Sequence, residues 1–251
     1  ALAADMQEAL GQNIVIENRT GGNAIIAANA LLQAPRDGYT FLVDAANQLT
    51  NPALMRDIPF DYATAFTPTT LISVFPQVIA VKHDFPAKDI KEFIAVAKAR
   101  PGTITVGTPP AAGMAHLALA AFEKRAGIRL VHAPYRGGAD AARDILAGSI
   151  DAVLITSSSV RPPVQAGRAR ILAVTSLERI ATLPDVPTLA ESGFPGFDMN
   201  DWNGLFAGAG TPRAVVDRMA AVAAVSAKSA AVRARMDAAG AIMIGNAPEV
   251  F

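Results

Sequence analysis

Short apolar runs alternate with longer amphipathic ones along the chain. Residues 14–16, 40–43, 77–81, 104–106, 129–132, 152–155 and 171–174 are brief, rich in β-branched side chains and bounded by turn formers. That is the pattern of buried strands in a mostly parallel sheet. Between them, residues 90–99, 114–126, 140–147 and 214–239 repeat apolar side chains at helical spacing. The alternation predicts an α/β fold. Leu2, Met6 and Leu10 share one helical face, and Gly11 stands where a left-handed C-terminal cap is expected. Both ends read as cut. No capping residue precedes Leu2, a strand is expected ahead of that helix, and residues 247–251 open a helix whose body is absent.

Two places interrupt the alternation. One is the turn Arg100-Pro101-Gly102. The other is the passage from Phe194 to Pro212, where Pro195, Gly196, Gly204, Gly208, Gly210 and Pro212 punctuate two extended pieces. Such passages serve as crossings between lobes, although the same composition suits ordinary surface loops. No low-complexity tract or fixed-period repeat is present.

Composition narrows the function. With 251 residues and 51% hydrophobic composition the chain can bury a large core, as one domain or as two lobes. Lys plus Arg and Asp plus Glu both number 22, so no net field recruits nucleic acid or an anionic membrane. The absence of cysteine removes disulfides, thiol catalysis and cysteinyl metal sites, and fits exported and cytosolic proteins alike. No apolar run approaches the roughly 20 residues needed to cross a bilayer.

The candidate chemistry lies where strands end. In an open α/β sheet, turns at the carboxyl ends of strands bring backbone N–H groups and helix N-termini into one crevice, which holds a small anion without a charged side chain. After residues 104–106 comes Gly107-Thr108-Pro109-Pro110-Ala111-Ala112-Gly113-Met114-Ala115-His116, running straight into a helix. The donors and positive dipole end of that helix, with small residues beside them, form an anion cradle in which Thr108, Ala112, Gly113, Met114 and His116 are the candidate contacts. Residues 40–43 end in Asp44-Ala45-Ala46-Asn47-Gln48. There Asp44, Ala45 and Asn47 either face a ligand, with Asp44 accepting from an ammonium or amide, or Asp44 forms a turn or caps a helix. Gly137, in the turn Tyr135-Arg136-Gly137-Gly138, and Thr156 and Ser157, in the run Thr156-Ser157-Ser158-Ser159, complete the set. These serines equally suit capping of the turn that follows them.

Catalytic and metal signals are poor. His83, His116 and His132 are the only histidines, and they form no metal-ligand pair of the His-Glu-x-x-His kind. No serine lies in a G-x-S-x-G elbow, and neither Gly21-Gly22 nor Gly137-Gly138 extends into a dinucleotide or phosphate loop. No catalytic residue, metal or cofactor is therefore assigned. His83 reads as solvent-exposed, His132 as a satisfied core group within a strand, and His116 as the histidine nearest a ligand.

Several segments carry a resemblance. They are GQNIVIENRTGG at 11–22, DGYTFL at 37–42, NPAL at 51–54, HAPYRGGA at 132–139, the AGRARILAVTS run at 166–176, and LPDVPTLAESGFPGF at 183–197. In their order and spacing the chain resembles the Bug family, the periplasmic solute-binding receptors of tripartite tricarboxylate transporters. The resemblance implies a type II-like periplasmic binding protein of two lobes that close on a ligand cleft between them. Residues 1–102 and 206–251 would form lobe one and residues 103–205 lobe two. It further implies a monomeric receptor in the periplasm that takes a carboxylate, an acidic amino acid, or an aromatic or pyridine acid or amide. Its partners would be the membrane subunits of the transporter and a sensor kinase. The family carries Ser or Thr at the cradle helix start, where this chain has Gly113 and Met114, and hydroxyl residues where it has Asp44. Other readings are a receptor that signals solute presence to a membrane sensor, a hydrolase of the same fold class, and a transcriptional effector domain, for which residues 1–60 show no helix-turn-helix segment.

Overall fold

The computed structural model describes residues 2–109 and 113–251. They fold as two compact units, one comprising the residues up to Val74 and from Trp202 onward, the other Phe75–Asp201.

The first unit opens with α1 (Leu2–Leu10), which ends at Gly11 in the left-handed region, φ +65°, as its spacing predicts. Then follow α2 (Ile25–Gln33), β1 (Leu42–Asp44), α3 (Asn47–Leu54), the short α4 (Tyr62–Ala65) and β2 (Phe66–Phe75). Residues 14–16, expected as a strand, form none, and Val15 and Ile16 are exposed. A β-branched run becomes a strand only when a second backbone takes up its N–H and C=O groups.

The second unit runs β3 (Gln77–Lys82), α5 (Ile90–Ala99), β4 (Thr105–Thr108), α6 (Met114–Ala126), β5 (Val131–Pro134), α7 (Gly138–Ala147), β6 (Ala152–Thr156), α8 (Ser157–Gln165) and β7 (Ala169–Val174). Its sheet has the order β5-β4-β6-β3-β7. In this unit the expected mostly parallel sheet is present, with one strand, β3, reversed. β4 runs parallel to its neighbours β5 and β6, whereas β3 is antiparallel to both β6 and β7. Helices α6 and α7 return the chain to the starting edge, so the strands they join run the same way, and β3 lies outside that series. All of Val78, Ile79, Ala80 and Val81 are buried. Val78 and Ala80 pack with Ala141, Ile145 and Val160 of α7 and α8, while Ile79 and Val81 pack with Phe93, Leu119 and Phe122 of α5 and α6. This unit is a sheet with helices on both faces.

The chain then re-enters the first unit through β8 (Asp201–Gly208), α9 (Arg213–Ala227), α10 (Ala230–Ala238) and β9 (Ile242–Met243). The sheet there has the order β1-β8-β2-β9. The single helix expected over 214–239 is two, because Ser229 accepts from the Val232 N–H and starts a new helix inside the periodic run. Leu42, Tyr62, Phe66 and Phe206 form the core of this unit, with Trp202 and Phe251 packed against them.

The crossings also differ from the expected borders at 102/103 and 205/206. The chain leaves the first unit within β2, between Val74 and Phe75, and returns within β8, between Asp201 and Trp202. Residues 75–102 belong to the second unit because β3 is an interior strand of its sheet. The turn at Arg100–Gly102 merely joins α5 to β4.

Candidate functional site

In the second unit, register brings three strand exits to one edge of the sheet. Thr108 lies opposite Pro134, and Gly107 lies between Ala133 and Val153, so β4, β5 and β6 all end on the same side. Each exit feeds a helix: α6 from Gly113, α7 from Gly137 and α8 from Thr156. None of these three N-cap residues makes a side-chain cap hydrogen bond. By contrast α5, which follows the oppositely directed β3, is capped by Asp89 accepting from the Glu92 N–H. The first turn of a helix presents N–H groups without intrahelical partners and the positive end of its dipole, and three such ends at one edge suit an anion.

The predicted residues occupy this edge in distinct ways. Gly113 is the N-cap of α6 in extended conformation, with Met114 first in the helix and His116 in its first turn. Gly137 is the extended N-cap of α7. The Thr156 hydroxyl hydrogen-bonds those of Ser158, at 3.3 Å, and Ser159, at 2.8 Å, and Ser157 is buried with its N–H donating to the Pro76 carbonyl. Thr108 is fully buried, so its side chain is committed to the interior. Its hydroxyl donates to the Pro109 carbonyl at 2.9 Å and lies 2.7 Å from His132 Nε2. The His132 ring stacks on His116 with centroids 3.9 Å apart. Burial, and then the neighbouring His116, lower the His132 pKa below the usual 6.5. Ala112 lies outside the described residues.

Behind the edge, Tyr135 donates to Asp144 Oδ2 at 2.8 Å, and burial together with that carboxylate pushes its pKa up to about 12. Gln77, paired with Thr156, is buried, and its Oε1 has no hydrogen-bond partner among the described residues. A donor reaching that oxygen would recover part of the roughly 1–3 kcal/mol that an unpaired buried acceptor costs.

The turn from β1 into α3 belongs to the first unit. Asp44 is only 7% exposed, and its two oxygens accept from the Ala45 N–H and from Gln48 Nε2, each at 2.8 Å. Burial raises its pKa above 3.8 against the lowering effect of those two bonds. Ala45 and Asn47 are half-buried beside it. Further along, Asn51 donates to the Tyr62 hydroxyl at 2.7 Å and to the Asn23 carbonyl at 2.8 Å, and Asn23 itself has φ +49°.

The sequence of the family described as the tripartite tricarboxylate transporter family receptor matches residues 1–242. This chain belongs to that family. It is 35% identical to the UPF0065 protein in the tcbD-tcbE intergenic region of Pseudomonas sp. (strain P51), over 100% of this chain and 75% of that relative. Among solved structures it is similar to R. palustris Rpa4515 with adipate, with a TM-score of 0.83 and 31% identity over 99% of this chain and 84% of that one. The periplasmic binding protein BugD gives a TM-score of 0.78 at 31% identity, over 99% and 84%. MatC from Rhodopseudomonas palustris with bound malate gives 0.80 at 27%, over 99% and 86%. The resemblance to the Bug family and the α/β fold of periplasmic binding proteins, both expected from the sequence, are thus shown.

Family and fold are those of solute-binding receptors rather than enzymes. No helix among the described residues is long and apolar enough to cross a membrane, and no cluster of His, Asp and Glu among them is placed to hold a metal ion. Two further residues lie near this edge, His132 and Gln77. His132 is a half-buried, hydrogen-bonded group within a strand, as the sequence predicts, but only the register of β5 on β4 puts it diagonally across from Thr108. Gln77 opens an apolar strand, and its one signal in the sequence is a polar residue directly ahead of the apolar run 78–81.

Proposed function

We propose that this protein is a periplasmic receptor that captures a small carboxylate and delivers it to a tripartite tricarboxylate transporter. The observation that carries this reading is the convergence of the α6, α7 and α8 N-termini, none side-chain capped, on one edge of the second unit's sheet. Such a site offers a carboxylate backbone donors and three dipole ends. The adipate and malate named with the solved relatives support a ligand of the dicarboxylate class.

A thermal-shift and calorimetric panel of adipate, succinate, malate, aspartate, glutamate, nicotinate and nicotinamide tests the proposal. One or more of the carboxylates should bind saturably without turnover. A ligand at a hundred times its Kd stabilises the folded state by about 2.7 kcal/mol. If only the uncharged amide shifted the melting temperature, or if none of the seven did, the carboxylate reading would be wrong.

A further inference from the structure

The contacts of Thr108 determine more than its own position. A hydroxyl carries one proton, and Thr108 is fully buried, so no solvent molecule supplies a second. Its oxygen stands 2.9 Å from the Pro109 carbonyl, which can only accept, and 2.7 Å from His132 Nε2. If Thr108 gave its proton to His132, the oxygens of Thr108 and Pro109 would face each other with no proton between them. The arrangement that places a proton in each contact has His132 Nε2–H donating to Thr108 and Thr108 donating to Pro109. His132 is held for that task from two sides. Its backbone is in register on β4, opposite Val106, and its ring is stacked on His116 of α6. With its pKa lowered it is neutral near pH 7, so the Nε2–H tautomer leaves Nδ1 unprotonated.

Pro109 is the first residue after β4, and Gly113 is the N-cap of α6, with no side-chain cap hydrogen bond. A helix end binds an anion only as well as its N–H groups are aimed. We infer that His132 is a positioning residue of the anion site: as the Nε2–H donor it turns the Thr108 hydroxyl onto the Pro109 carbonyl at the exit of β4, while its ring bears on His116 in the first turn of α6. This rests on the carboxylate reading above for its ligand, but the hydrogen-bond chain itself exists without one.

Two measurements on the whole chain test it. The first needs no ligand. Long-range proton–nitrogen NMR of the imidazoles at pH 7.5 should show His132 as the Nε2–H tautomer, and an Nδ1–H tautomer would overturn the inference. The second is a double-mutant cycle on affinity for adipate, or for malate if that is the tighter probe. His132→Phe keeps a ring for the stack on His116 but removes the donor, and Thr108→Val removes the hydroxyl. Each should weaken binding by about five- to tenfold, the loss of one relayed hydrogen bond, and the double variant should be no weaker than the worse single one. His132→Gln, which keeps an N–H donor, and Thr108→Ser, which keeps the hydroxyl, should restore affinity to within about twofold of wild type. Additive losses, or no rescue by Gln and Ser, would show that bulk rather than the proton relay matters, and the inference would fall. If wild type bound none of the carboxylates, the functional reading would fail while the tautomer measurement still decided the role of His132.

Discussion

Asp44 is buried while both of its oxygens receive N–H donors, and these opposing influences have a measurable consequence. Desolvation prevails, so its folded-state pKa is above the unfolded value of 3.8. The folded protein therefore keeps this proton to higher pH than the unfolded chain does. Stability linked to it is complete below pH 3.8 and is lost as pH rises through the folded value. In Asp44→Asn that component is absent, so the melting temperature of wild type relative to the variant should fall as pH increases from 3.8 upward. A difference that stays flat, or grows with pH, would mean that the Ala45 and Gln48 bonds outweigh burial. His132 behaves in the opposite sense. Its folded pKa lies below 6.5, so its contribution is present above pH 6.5 and is lost on acidification through the lowered value. His132→Gln should flatten the stability profile just below pH 6.5, as read by denaturant unfolding at a series of pH values.

The starts of α7 and α8 approach each other closely enough to dictate a glycine. A Cβ on Gly138 would lie 2.6 Å from Ser159 Oγ, the hydroxyl that bonds Thr156 at 2.8 Å. An alanine there must push Ser159 aside and break that bond. Gly138→Ala should therefore cost about 1–3 kcal/mol in chemical denaturation and weaken carboxylate binding as well. Adding Ser159→Ala, which removes the clashing oxygen, should recover most of the stability. If Gly138→Ala were silent, α7 and α8 would not be packed as described. The same reasoning explains why periodicity misjudged the C-terminal helices. Apolar spacing continues through residues 228–229, but Ser229 satisfies the Val232 N–H and begins a second helix.

Whole-molecule electrostatics follow from a formal net charge of zero and from the backbone dipoles of which the proposed site is built. Long-range steering of an anion is weak under these conditions, and the short-range dipole interactions at a partly buried edge are poorly screened. Affinity for adipate should therefore change by less than about threefold when sodium chloride is raised from about 50 to 500 mM. A tenfold loss in calorimetry would show that exposed cations such as Arg136 carry the binding. The chain visits the first unit twice, and the crossings lie inside strands β2 and β8 rather than in loops. That is why Pro and Gly punctuation at Arg100–Gly102 misplaced the first border: a strand that continues past a border has no turn residue to mark it.

Local chemistry determined much of this protein. Apolar period set out the core strands β3, β4, β6 and β7 and helices α5, α6 and α7, because side-chain spacing alone decides which face can be buried. Small residues after strands marked Gly113 and Gly137, since a turn into a helix needs backbone room. The ordered segments shared with solute-binding receptors sufficed to place the chain in its family. Pairing was beyond reach of the sequence. Residues 14–16 have strand composition but no strand, β3 runs against both its neighbours, and His132 meets Thr108 and His116 only through the register of β5 on β4 and the packing of α6. Each of these depends on which distant backbone supplies the complementary hydrogen bonds, and no local pattern of side chains encodes that choice.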